Sequence, residues 1–135
     1  YLDKNTLGNI SVEAMRDSFK TDFAILNTGG VRAYISDGNV TVSDVYNVFP
    51  FNNEVYLVEI KGSDLLGFYY NADYYIYINK DFNASEIISD KTYNVAIIDY
   101  VFTSMYYQSY FGNVKYVDTD VIMRDLVIEY IDNLI

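Results

Sequence analysis

Asn27-Thr28-Gly29-Gly30-Val31-Arg32 gathers residue types that can hold an anion or a polar ring. Two adjacent glycines after a short apolar run let the backbone take positive φ and come close to a ligand. Asn27 brings a donor and an acceptor to the end of that run. Arg32 brings a forked cation able to grip a phosphate or carboxylate in two places. The same six residues also make an ordinary surface turn with a solvated arginine, and both readings stand. Phe49-Pro50-Phe51-Asn52-Asn53 is the second such stretch. A phenylalanine directly after proline, in stiff non-helical backbone, can present a ring on which a base stacks, typically worth ~1–3 kcal/mol. The alternative is that Phe49 and Phe51 both pack into the core. A third group, Tyr106-Tyr107 and Tyr110-Phe111, is either a ligand platform or the inward face of a helix. Asp118 and Asp120 stand two apart, as helix caps often do. Paired carboxylates can hold Mg²⁺ or Ca²⁺, but the EF-hand spacing and its glycine are absent, and no metal site is expected in this chain.

Composition narrows the chemistry further. The 135 residues hold no histidine and no cysteine, which removes thiol catalysis, disulfides, Cys/His zinc sites and histidine acid–base mechanisms. A catalyst built here would have to use carboxylates, hydroxyls or lysine. Nineteen acidic against nine basic residues give a net charge of −10, and the cations are scattered singly. Such a surface repels polyanions, so no nucleic acid polymer is expected as a partner. Half the chain is apolar (51%) with a single proline, enough for a real core and unlike a disordered tail. The longest apolar runs fall far short of the roughly 18 residues that span a bilayer. The chain opens at Tyr1 without an initiator methionine and is expected to be a piece of a longer protein. Sequons at Asn9, Asn39 and Asn83 are weak matches.

These residues must be held by the elements around them. Thr6 can cap a helix to about Phe19, with Leu7, Ile10, Ala14, Met15 and Phe19 on its apolar stripe. Phe23 to Leu26 reads as a buried strand broken by Asn27 to Gly30. Asp37-Gly38 signals a tight turn before the β-branched Val40-Thr41-Val42. Ser43 and Asp44 can cap a short helix that stops before Pro50. Val55 to Ile60 predicts a strand, Ser63 to about Tyr70 a helix, Tyr74 to Ile78 a strand and Asp81 to Asp90 a loop. Tyr93 to Ile98 predicts a further strand, and Asp99 to Tyr110 leans toward helix. Asn113 to Val117 reads as an edge strand. Val121, Met123, Leu126, Val127, Tyr130, Ile131 and Leu134 mark a closing helix whose polar face holds Arg124, Asp125, Glu129 and Asp132. Helices that interrupt strands irregularly, with no repeat or linker, predict one α+β domain with a mixed sheet flanked by helices.

In this order the stretches resemble a known family. Leu7-Gly8-Asn9, Asn27 to Arg32, Gly38 to Thr41, Pro50 to Asn53 and Ile60 to Gly62 are similar to the L-G-N, N-x-G-G-(I/V)-R, G-x-(I/V)-T, P-F-x-N and L-x-G motifs of one family. It is the C-terminal, substrate-binding domain of 5'-nucleotidases, UDP-sugar hydrolases and 2',3'-cyclic phosphodiesterases. The resemblance implies that Asn27, Gly29, Gly30 and Arg32 serve the sugar and phosphate side of a nucleotide pocket. It implies that Phe51 stacks on the base, with Asn53 beside it. The family's second ring comes from a G-G-D-G-(F/Y) loop; here Thr103 to Gln108 lacks its glycines and acid, leaving Tyr107 or Tyr110 to substitute. An arginine usual upstream of L-G-N and an F-x-Q-x-(S/G)-G segment are also absent, and the span from Gly62 to Tyr93 is short.

The resemblance further implies a binding module for a nucleoside monophosphate or related small nucleotide. Hydrolysis would fall to two divalent metal ions in an N-terminal metallophosphoesterase domain, and this chain alone would be inactive. The family's usual location is extracellular, in the cell wall or in the periplasm. The alternative is a degenerate domain that has lost its ligand and serves as a surface or protein-interaction module.

Overall fold

The computed structural model describes residues 1–134. Its centre is a five-stranded sheet ordered β3-β1-β4-β2-β5, built from β1 (Phe23–Asn27), β2 (Glu54–Lys61), β3 (Ile76–Ile78), β4 (Thr92–Ile98) and β5 (Tyr116–Ile122). β1 and β4 run parallel, with Ile25 opposite Ile97, and every other pairing is antiparallel. Successive side chains of a strand face opposite sides. Because Ala24 to Leu26 and Val95 to Ile98 are all buried, both faces of the sheet are covered. α1 (Lys4–Phe19), α2 (Val42–Val48) and α6 (Met123–Leu134) pack together, α1 against β1. α3 (Gly62–Ala72) and the short α4 (Asp99–Phe102) and α5 (Gln108–Phe111) form the other group, against β2 and β4. The mixed α+β domain expected from the sequence is the one observed.

Local chemistry sets the element ends. Asp3, not Thr6, caps α1: its carboxylate accepts from the Thr6 amide at 2.7 Å. Val40 to Val42 do not form a strand. Thr41 accepts from the Asp44 amide and Asp44 from the Thr41 amide, a reciprocal cap that opens α2 instead. α3 starts at Gly62 without a side-chain cap, so Ser63 does not play that part. Only the last three residues of Tyr74 to Ile78 are strand, after a 3₁₀ turn over Asp73–Tyr75. The segment after β4 breaks into α4, a 3₁₀ turn over Met105–Tyr107, and α5. β5 is an edge strand but begins at Tyr116, which places Asp118 and Asp120 within a strand, not at a helix cap.

The first end of β1 and the middle of α1 are locked by a buried polar residue. Asn79 accepts from the Ala24 amide at 2.6 Å and donates to the Val12 carbonyl and the Glu13 carboxylate. Gly8 gives α1 its close approach to β3, because a β-carbon there would lie 2.5 Å from the Tyr77 ring. These contacts fix β1, whose far end carries the first candidate stretch.

Candidate functional site

β1 stops at Asn27, and Thr28–Gly30 form one 3₁₀ turn closed by the Val31 amide on the Thr28 carbonyl at 3.2 Å. Neither Gly29 nor Gly30 takes positive φ; among the described glycines only Gly38 does. Space explains Gly30 instead. A β-carbon there would sit 3.0 Å from Asn27 Oδ1 and 3.3 Å from a Leu26 methyl. The Asn27 carboxamide thus folds back over the turn, and its Oδ1 is buried with no hydrogen-bond partner. An unpartnered buried acceptor costs about 1–3 kcal/mol.

Arg32 continues the turn into solvent. Its amide donates to the Val48 carbonyl at 2.8 Å, and its side chain makes one long hydrogen bond, Nη1 to the Gly29 carbonyl at 3.4 Å. The guanidinium carbon lies 5.8 Å from the centroid of the Phe51 ring, within cation–π range. The two phenylalanines around Pro50 part ways: Phe49 is 1% exposed in the core, whereas Phe51 is 48% exposed. A forked cation and an open ring face therefore stand side by side.

What holds Phe51 there was not legible as a site residue. Arg124, placed by periodicity on the polar face of the closing helix, is 5% exposed. Nη1 donates to the Phe49 carbonyl at 2.9 Å and the Phe51 carbonyl at 3.3 Å, Nη2 donates to Asn52 Oδ1 at 2.8 Å, and the guanidinium lies over the Tyr46 ring at 3.9 Å. Asn53 joins the same junction through its backbone, its carbonyl accepting from the Met123 amide at 2.9 Å.

On the Asn27–Gly29 turn opens a cleft of about 690 Å³, inside the range of small-molecule sites; neither Arg32 nor Phe51 lines it. Asn27, Thr28 and Gly29 form one wall, Asn71, Tyr75 and Ile76 another, and Tyr100 to Tyr110 the rest, through Tyr100, Val101, Ser104, Tyr106, Tyr107, Ser109 and Tyr110. No charged side chain is among them. Tyr107 meets Phe68 edge-on at 4.9 Å; burial first, and then Tyr75, push its phenol above the usual tyrosine range, so it stays a protonated donor. Tyr110 lies against Gly67, where a β-carbon would come within 2.7 Å of its ring, and its hydroxyl accepts from Asn71.

Of the residues expected from the sequence, Asn27, Gly29 and Tyr107 line the cleft. Arg32 and Phe51 form the neighbouring pair, joined to it by the Arg32–Gly29 contact. Gly30 supports the turn, and Asn53 lies at the α6 junction. Asn71 and Tyr75 line the cleft without having been singled out; only the density of tyrosine around Tyr74 to Ile78 hinted at them.

The acidic residues gather elsewhere. Glu54, Asp118 and Asp120 bring carboxylate oxygens within 4.8 Å of one another. Desolvation, then Asp118 and the charges of Asp120 and Asp99, hold the Glu54 carboxyl above its ordinary value. The trio is a site of mutual repulsion at the edge of the sheet.

With the geometry in place, comparison with known proteins is direct. The sequence model of the family described as 5'-nucleotidase, C-terminal domain, matches residues 1–68, half of the chain. The chain belongs to this family. The matched part of this 5'-nucleotidase C-terminal domain contains the Asn27–Arg32 turn and the Phe51 loop, but not the Tyr100–Tyr110 wall. The domain is 48% identical over 59 residues to Endonuclease YhcR of Bacillus subtilis, covering 44% of this chain and 5% of that protein. It is 38% identical over 65 residues to a 5'-nucleotidase of Vibrio parahaemolyticus, covering 48% and 12%. Its fold superposes on the 5'-nucleotidase precursor of Thermus thermophilus with a TM-score of 0.80 at 21% identity, covering 95% of this chain and 32% of that one. The chain thus spans a small part of the length of the relatives it matches.

Proposed function

We propose that this domain binds the nucleoside part of a small phosphoester, in the nucleoside monophosphate class, for a 5'-nucleotidase-type hydrolase of which it is one part. The observation that supports this most is the exposed Phe51 ring beside the Arg32 guanidinium, which is linked through its Gly29 contact to a cleft with no charged lining. Ring stacking on Phe51 contributes ~1–3 kcal/mol. Arg32 meets the phosphate, where a hydrogen bond involving charge is worth about 1.5–3 kcal/mol. Asn27 contributes to the cleft wall, and the Tyr107 phenol donates to a ligand oxygen. Gly29 keeps this wall low, Gly30 lets the turn fold back on Asn27, and Asn53 holds the Phe51 loop to α6.

The chemical step belongs to another part of the proposed whole protein. This chain has no histidine or cysteine and one carboxylate trio among its described residues, which does not fit a His, Asp and Asn set for two divalent metal ions. An N-terminal metallophosphoesterase domain is proposed as the partner that holds them, and this domain as the part that presents substrate to it. The location proposed for the whole protein is extracellular, cell-wall or periplasmic. Among the described residues no helix is long and apolar enough to cross a membrane.

A degenerate interaction module is the second reading, favoured by the open side chains of Tyr74, Met105 and Tyr106. Calorimetry with adenosine and AMP separates the two. The nucleoside reading expects saturable binding that Phe51→Ala weakens by about 1–3 kcal/mol with the melting transition unchanged. Absence of binding by either ligand favours the interaction module.

A further inference from the structure

The ring that makes Phe51 useful is held by a residue on the last helix. Phe49 to Asn53 has no regular backbone structure. Among the described residues, every hydrogen bond to Phe51 and Asn52 comes from Arg124. The same guanidinium takes the Phe49 carbonyl at 2.9 Å and lies 3.9 Å over the Tyr46 ring. One planar fork therefore clamps both sides of Pro50, and the ring it leaves projecting stands 5.8 Å from the Arg32 guanidinium.

This is an expensive way to close a core. Arg124 is 5% exposed, has no carboxylate among its hydrogen-bond partners and leaves Nε buried without one. It is also the second residue of α6, at the end of a helix where the peptide dipoles disfavour a cation. An apolar side chain of the same length would fill the space without burying an unpaired charge. What it cannot do is hold two carbonyls and a carboxamide in fixed directions, which is the property of a guanidinium.

We infer that Arg124 is a positioning residue that fixes the Phe51 ring for ligand contact; the consequence for binding rests on the nucleoside reading above. It touches no ligand itself and acts through the Phe49–Asn53 loop.

Backbone ¹⁵N relaxation on the ligand-free chain tests the anchoring alone. The Phe51 and Asn52 amides are expected to have order parameters near 0.85, the rigid value, and to fall toward or below about 0.6 in Arg124→Met, with the sheet unchanged. Arg124→Lys, which keeps charge and stem, recovers part of the order. If Arg124→Met does not fold, Asn52→Ala removes one acceptor at an exposed position and lowers order at Phe51. Amides that stay rigid in the folded variants overturn the inference.

Adenosine titration supplies the second arm. Phe51→Ala is expected to weaken binding about 5- to 150-fold. Arg124→Lys weakens it by less, and has no effect once Phe51 is alanine. An equal loss from Arg124→Lys in both backgrounds means it acts on the whole fold, and overturns the inference. If Phe51→Ala binds like wild type, the nucleoside reading fails while the relaxation data still decide the role of Arg124.

Discussion

Phe49 and Phe51 are two residues apart, of one type, and do opposite jobs. Phe49 is enclosed by the core, so Phe49→Ala should cost about 3–5 kcal/mol of unfolding free energy. Phe51 has an open face, so Phe51→Ala should leave the denaturation midpoint nearly unchanged; urea titration of the two variants checks both. No periodicity in five residues around a proline distinguishes them, which is why the sequence left both in the core as an open alternative. Gly8 is a second residue-scale case. A β-carbon there would lie 2.5 Å from a Tyr77 ring that is itself bonded to Asn5, so Gly8→Ala should destabilise by about 1–3 kcal/mol through overpacking, read from the same titration. The glycines at 29 and 30 mislead in the other direction. They suggest positive φ that neither takes; Gly30 makes room for the Asn27 carboxamide, whereas a β-carbon at Gly29 would make only an ordinary 3.4 Å contact.

At the scale of elements, the strands were legible because their apolar runs are continuous and bounded by turn residues. Thr41 shows what propensity hides: it lies in a β-branched run, yet its reciprocal hydrogen bonds with Asp44 start a helix. Arg124 shows what residue type hides. Its charge groups it with Asp125 and Glu129, yet its i+3, i+4 and i+7 neighbours are Val127, Ile128 and Ile131, and the packing of α6 against the Phe49–Asn52 loop buries it. The cleft was least legible, since its walls come from β1, α3, β3 and the α4–α5 segment, distant in sequence. The β2–β5 edge carries its own prediction. With its carboxyl held above the ordinary glutamate value of 4.5, Glu54 keeps its proton longer in the folded state than in the unfolded one. Stability contributed by that proton is present below pH 4.5 and is lost as pH rises through the folded value. Glu54→Gln should therefore melt higher than wild type near pH 7, and the difference should vanish below pH 4.5; scanning calorimetry across that range measures it.

For the whole molecule, charge and shape act in opposite senses. A net charge of −10 repels a phosphate at long range, while Arg32 attracts it at contact and the cleft offers the nucleoside an uncharged lining. AMP should therefore bind more tightly than adenosine by no more than the worth of one such contact, roughly 10- to 150-fold. The Arg32→Met variant should bring the two ligands level while leaving adenosine affinity unchanged. Parallel calorimetric titrations read the ratio. An AMP advantage that survives Arg32→Met would place the phosphate elsewhere.

The most direct measurement of the central claim is an adenosine titration of this chain followed by NMR. Saturable shifts are expected at Asn27, Gly29, Arg32, Phe51 and Tyr107, with the Glu54–Asp118–Asp120 edge unmoved. Shifts that avoid the Phe51 loop and the cleft walls, or none at millimolar adenosine, would contradict it.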